Sequence, residues 1–117
     1  MGALTTHVLD TAQGTPAADI EVTLSVRGEV GTDSGWRELA TRRTDSDGRI
    51  SDLLPDVPRP EAGVYRLRFR LDEYHAKLPG GGFYPYADVV FRLTETDDHY
   101  HVPLLLSPFG YSTYRGS

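Results

Sequence analysis

His7 and His101 stand near opposite ends of the chain, and each falls on a strand face turned away from the apolar positions around it. Imidazole is the side chain whose ordinary pKa lies nearest neutrality, so two of them brought together would form an acid/base pair. Three other readings of these residues stand beside that one. The histidines could decorate a solvated face. Their face also carries Leu9, Pro103 and Leu105, which suits a second buried surface of the kind found between subunits. His99 and His101, roughly 7 Å apart on one strand face, could also share a zinc ion with His7. The chain has no cysteine to add to such a site, however, and no carboxylate placed to orient the rings. Arg49 follows Asp47-Gly48, and its planar fork of donors suits a carbonyl or a developing oxyanion; taken alone it reads as a surface arginine after a turn. Tyr114, Arg115 and Ser117 add a phenol, a cation and a hydroxyl within a short stretch.

The elements that must position these groups are mostly strands. Residues 4–9 alternate, with Leu4 and Val8 inward and Thr5, His7 and Leu9 outward. Glu21 to Arg27 alternates with Val22, Leu24 and Val26 inward, and a hairpin connection over Gly28 to Gly35 leads to a more polar, edge-like strand over Trp36 to Arg43. Thr44 to Gly48 is a turn whose Asp47-Gly48 pair favours positive φ, and it holds Arg49 at a corner. Three prolines mark residues 54–60 as a loop.

Val64 to Leu71 sends Tyr65, Leu67, Phe69 and Leu71 inward. Its outward row, Arg66, Arg68 and Arg70, is a solvated face with acids such as Glu38 as cross-strand partners. Leu71 to Leu78 is the one stretch suited to a helix, two turns at most, with Asp72 as its N-cap. A strand over Ala87 to Thr94 places Val89, Phe91 and Leu93 inward, and Thr96 to Asp98 turn the chain back. Tyr100, Val102, Leu104 and Leu106 then face the core while His101, Pro103 and Leu105 face away; a Ser107-Pro108 break leads to a tyrosine-rich final strand. About eight short strands and one short helix predict an all-β sandwich, one domain over 1–117.

Composition narrows the functional classes. Without cysteine there is neither a disulfide framework nor a thiolate metal site, and a reducing compartment is permitted. The net charge of -5 comes from interspersed acids and bases, which leaves no basic stripe for nucleic acid. No apolar run approaches the roughly 18 residues of a membrane span, and no basic-then-apolar leader opens the sequence. A cytoplasmic protein is expected, binding neither nucleic acid nor membrane.

Three motifs in order sharpen this picture: Thr6-His7-Val8-Leu9-Asp10 with Gly14-Thr15-Pro16-Ala17; Asp45-Ser46-Asp47-Gly48-Arg49; and Tyr100 to Ser117, closing on Tyr-Arg-Gly-Ser. Together they resemble the transthyretin-related 5-hydroxyisourate hydrolases. The resemblance implies a transthyretin-like sandwich of two four-stranded sheets with one short helix, in a homotetramer with active sites at the dimer–dimer interface. It implies metal-free and cofactor-free opening of 5-hydroxyisourate by water, with His7, Arg49, His101 and Ser117 catalytic and with His7, Arg49 and Tyr114 contacting substrate. The same fold in transthyretin carries a small aromatic ligand without turnover, which is the alternative function. Phe109 departs from the tyrosine or tryptophan expected there.

Overall fold

The computed structural model describes residues 4–27, 35–54, 61–94 and 99–116. Most of the Gly28–Gly35 connection and of the 54–60 loop, the Thr96–Asp98 turn and Ser117 lie outside the described residues. The elements run β1 (Leu4–Asp10), β2 (Thr15–Pro16), β3 (Glu21–Arg27), β4 (Trp36–Arg43), β5 (Arg49–Ile50), β6 (Gly63–Arg70), α1 (Asp72–His75), β7 (Tyr86–Leu93), β8 (Tyr100–Ser107) and β9 (Gly110–Thr113).

They form two sheets. One has the order β4-β3-β6-β7, the other β2-β1-β8-β9 with β5 added beside β1. The two-sheet, one-helix architecture expected from the sequence is therefore present, and β5 is the addition that a two-residue strand leaves unreadable in any periodicity. β1 and β8 pair in parallel, from Leu4 opposite Tyr100 to Asp10 opposite Leu106. Every other named pairing is antiparallel.

Alternation explains how the layers close. Leu4, Val8, Leu104 and Leu106 of the first sheet are fully buried in one cluster with Val22, Leu24, Leu67 and Phe69 of the second. Burying each such side chain contributes about 1.5–3 kcal/mol. Buried polar groups on the same strands are satisfied: Thr6 Oγ1 donates to the Val102 carbonyl at 2.6 Å, and the Asp10 carboxylate accepts from Ala12 N, Gln13 N, Gln13 Nε2 and Tyr74 Oη. Burial by itself would raise the Asp10 carboxyl. Those hydrogen bonds, Tyr74's foremost, overcome it and hold the group below the usual carboxylate range.

Four local expectations change. Pro103 is buried although it lies on the outer face of β8, where His101 and Leu105 on either side of it are half-buried. Val26 and Phe91 are only half-buried at the margin of the core. The helix is a single turn whose N-cap is Leu71 rather than Asp72; Leu71 is fully buried, so packing sets where the turn begins. In the arginine row of β6, Arg68 pairs with the cross-strand acid Asp88 and Arg70 with Glu21 and Asp72, whereas Arg66 lies over the Trp36 ring and no pair to Glu38 forms among the described residues.

Candidate active site

The corner that carries Arg49 is built by one carboxylate and one glycine. Asp45 Oδ1 accepts from the backbone N–H groups of Asp47 and Arg49, each at 2.9 Å, while the Asp45 N–H donates to the Arg49 carbonyl at 3.0 Å. Gly48 has φ +75°, and a Cβ there would collide with the Val8 carbonyl oxygen. The Gly48 carbonyl in turn accepts from Val8 N–H at 2.7 Å. The turn is thus stitched onto β1. β5 then pairs with β1, with Ile50 opposite Thr6 and Arg49 opposite His7. Ile50 goes into the core and Arg49 is exposed on the outer face.

His7 is oriented by the same turn. Its Nε2 lies 2.9 Å from the Asp47 carbonyl oxygen. A carbonyl only accepts, so Nε2 carries the proton and Nδ1 of the neutral ring holds the lone pair.

His101 reaches this face from β8. It stands directly opposite Thr5, while His7 stands opposite Pro103. Strand neighbours share a face and residues two apart repeat it, so His7 and His101 are diagonal partners with Cα atoms about 8 Å apart. Thr5 Oγ1 and His101 Nδ1 are hydrogen-bonded at 2.7 Å. The other edge of the ring meets the tail. Gly116 N–H donates to the His101 carbonyl at 2.8 Å, and a Cβ on Gly116 would stand 2.6 Å from His101 Cδ2.

The electrostatics follow from this convergence. Burial pushes the His101 imidazole below its ordinary pKa, and the nearby positive charge of His7 and of Arg49 pushes it further the same way. Both effects disfavour the protonated ring. Arg49 makes no ion pair among the described residues. An exposed guanidinium beside two imidazoles is a receptive place for negative charge.

Other sequence-predicted residues lie apart from this cluster. Tyr114 is exposed and lines an apolar cleft of ≈ 320 Å3 with Val89, Phe91, Tyr100, Val102 and Arg115. His99 is exposed just ahead of β8, and Ser117 lies outside the described residues. Among the described residues no group of three or more His, Asp or Glu side chains converges to hold a metal ion. Thr5 and Gly116 went unread as parts of the site. For Thr5 a signal existed, since a hydroxyl two residues before His7 must share its face.

The sequence model of the HIUase/Transthyretin family matches residues 4–116. The chain belongs to this family. Among family members, the 5-hydroxyisourate hydrolase of Mus musculus is 48% identical over 115 residues, covering 97% of this chain and 94% of the mouse protein. The solved structure of Klebsiella pneumoniae 5-hydroxyisourate hydrolase is 38% identical with a TM-score of 0.81, covering 100% of both chains. Transthyretin from Sparus aurata is as near in shape, with a TM-score of 0.84 at 35% identity, covering 99% of this chain and 97% of the other. Shape alone therefore does not separate 5-hydroxyisourate hydrolase from transthyretin within the family, and any distinction falls to the side chains.

Proposed function

We propose that this chain hydrolyses 5-hydroxyisourate to 2-oxo-4-hydroxy-4-carboxy-5-ureidoimidazoline, a step of urate degradation. The observation that carries the reading is the juxtaposition on one face of His101, its pKa lowered by burial and by nearby positive charge, with His7 and with an Arg49 that makes no ion pair among the described residues. The name shared by the mouse and Klebsiella relatives supports it.

In the proposed step, His7 and His101 hold a water and remove its proton as its oxygen bonds to the ring carbonyl beside the scissile C–N bond. The carbonyl electrons move onto oxygen, where Arg49 meets the charge. The C–N bond then breaks and the nitrogen takes the proton back from an imidazolium. No metal or cofactor is needed for this sequence. Tyr114 and Ser117 would fix the flat substrate by its polar edges. Because Tyr114 lines a different cleft within one chain, the reading includes a homotetramer, a dimer of dimers in which a neighbouring subunit completes each pocket. A cytoplasmic location is part of the same reading.

Following the ultraviolet decay of freshly generated 5-hydroxyisourate tests the reaction. The chain should accelerate decay, and His101→Asn should lower kcat by about 10²- to 10⁴-fold with the fold retained. A carrier of aromatic ligands would leave decay at its spontaneous rate. Specific activity across a dilution series with light scattering tests the assembly: activity should fall as tetramers dissociate, and fully active dimers would remove the shared pocket.

A further inference from the structure

We infer that Thr5 is a positioning residue that fixes which nitrogen of His101 meets the substrate, an inference that rests on the hydrolytic reading above. The geometry clamps the His101 ring from two sides. On the Nδ1 side stands the Thr5 hydroxyl at 2.7 Å, and on the Cδ2 side runs the backbone of Gly116, too close for even a methyl group. A half-turn of the ring about its Cβ–Cγ bond would exchange these two edges, placing a C–H against the hydroxyl and a polar nitrogen against the glycine. That orientation loses the hydrogen bond, so the clamp selects one ring orientation. Nε2 is the nitrogen left to act.

The hydroxyl has a second acceptor within reach. Thr5 Oγ1 lies 3.5 Å from the Tyr100 carbonyl oxygen. With its own proton turned toward that carbonyl, Thr5 accepts from His101 Nδ1–H, and Nε2 of the neutral ring carries the lone pair. When Nε2 takes a proton from water, Nδ1–H and the Thr5 hydroxyl keep the same arrangement. The proton is therefore gained without breaking the orienting contact. His7 is anchored in the opposite sense, through Nε2 to the Asp47 carbonyl. The two imidazoles therefore offer unlike nitrogens to one small molecule, Nδ1 from His7 and Nε2 from His101.

Thr5→Val tests this, because valine keeps the shape and strand preference of threonine and removes only the hydroxyl. With 5-hydroxyisourate as substrate, kcat should fall about 10- to 100-fold, the scale set by misplacing a catalytic group, with KM little changed. Thr5→Ser should restore most of the loss. Nitrogen-15 spectra of the full-length protein, labelled at histidine and titrated with pH, supply a readout independent of turnover. Wild-type His101 should show Nδ1 protonated in the neutral ring, and Thr5→Val should shift its tautomer balance while leaving His7 and its Asp47 contact unmoved. If His101 shows the same tautomer and titration in Thr5→Val as in wild type, the inference is overturned, whatever the activity. If the spectra change as expected but wild type fails to speed substrate decay, the positioning stands and the hydrolytic reading falls. Equal losses of kcat in Thr5→Ser and Thr5→Val would also overturn it, since the hydroxyl would then be irrelevant.

Discussion

The outer faces of the two sheets treat positive charge in opposite ways. On the second sheet, Arg68 makes two parallel hydrogen bonds to Asp88 at 2.7 and 2.8 Å and stacks over Tyr86, and Arg70 lies near Glu21 and Asp72. Arg43 is surrounded by Asp19, Glu21 and Glu73. On the first sheet, His7, Arg49 and His101 converge with no ion pair to Arg49 among the described residues, and burial first, then the charges of His7 and Arg49, push protons off His101. Where charge is compensated the face is structural and solvated. Where a guanidinium sits beside two imidazoles with no carboxylate paired to it, the arrangement favours something electron-rich.

Exchanging a cation on each face breaks or sharpens that contrast. Arg49→Met should lower kcat by about 10²- to 10³-fold, the scale of an oxyanion donor, with no loss of melting temperature. A variant that kept its kcat would remove Arg49 from the reaction. Next in size is a histidine on neither face. His75 is buried in α1, and neither ring nitrogen has a partner among the described residues. A Cβ on Gly82 would run into its ring. Burial lowers its pKa despite the opposing pull of Asp10.

The unfolded chain therefore binds a proton more readily than the folded one between the ordinary histidine value and the depressed one. The contribution of His75 to stability is present above the ordinary histidine value and is lost as pH falls through the depressed one. An unsatisfied buried polar group costs about 1–3 kcal/mol, so His75→Phe should raise the melting temperature and flatten its decline between pH 7 and 5. Melting curves identical to wild type across that range would show that His75 is not the sensitive group. The smallest effect belongs to the compensated face. Arg68→Ala should cost at most about 1 kcal/mol in urea unfolding, as expected of a half-exposed pair, and leave kcat untouched.

Much of this was legible from the chain because strand alternation is a local property. Leu4, Val8, Val22, Leu24, Leu67, Phe69, Leu104 and Leu106 take the core positions their spacing assigns, and Asp47-Gly48 announces the corner before Arg49. What stayed hidden depends on partners far away in sequence. The parallel register of β1 with β8 sets Thr5 against His101, and nothing in either strand alone states that offset. The N-cap position of Leu71, a fully buried residue, is likewise invisible in the local sequence. Nothing in the short helical stretch singles out His75, whose ring packs against the Gly82 backbone.

The parallel union of β1 and β8 has a consequence for synthesis. Thr5 and the histidine it touches are 96 residues apart, so the first imidazole leaves the ribosome long before its counterpart exists. On the proposed reading, a nascent or prematurely terminated polypeptide holds one half of the site and should be inactive. Competence arrives only when β8 slots in between β1 and β9, a closure of nearly the whole polypeptide and a slow kind of contact to form.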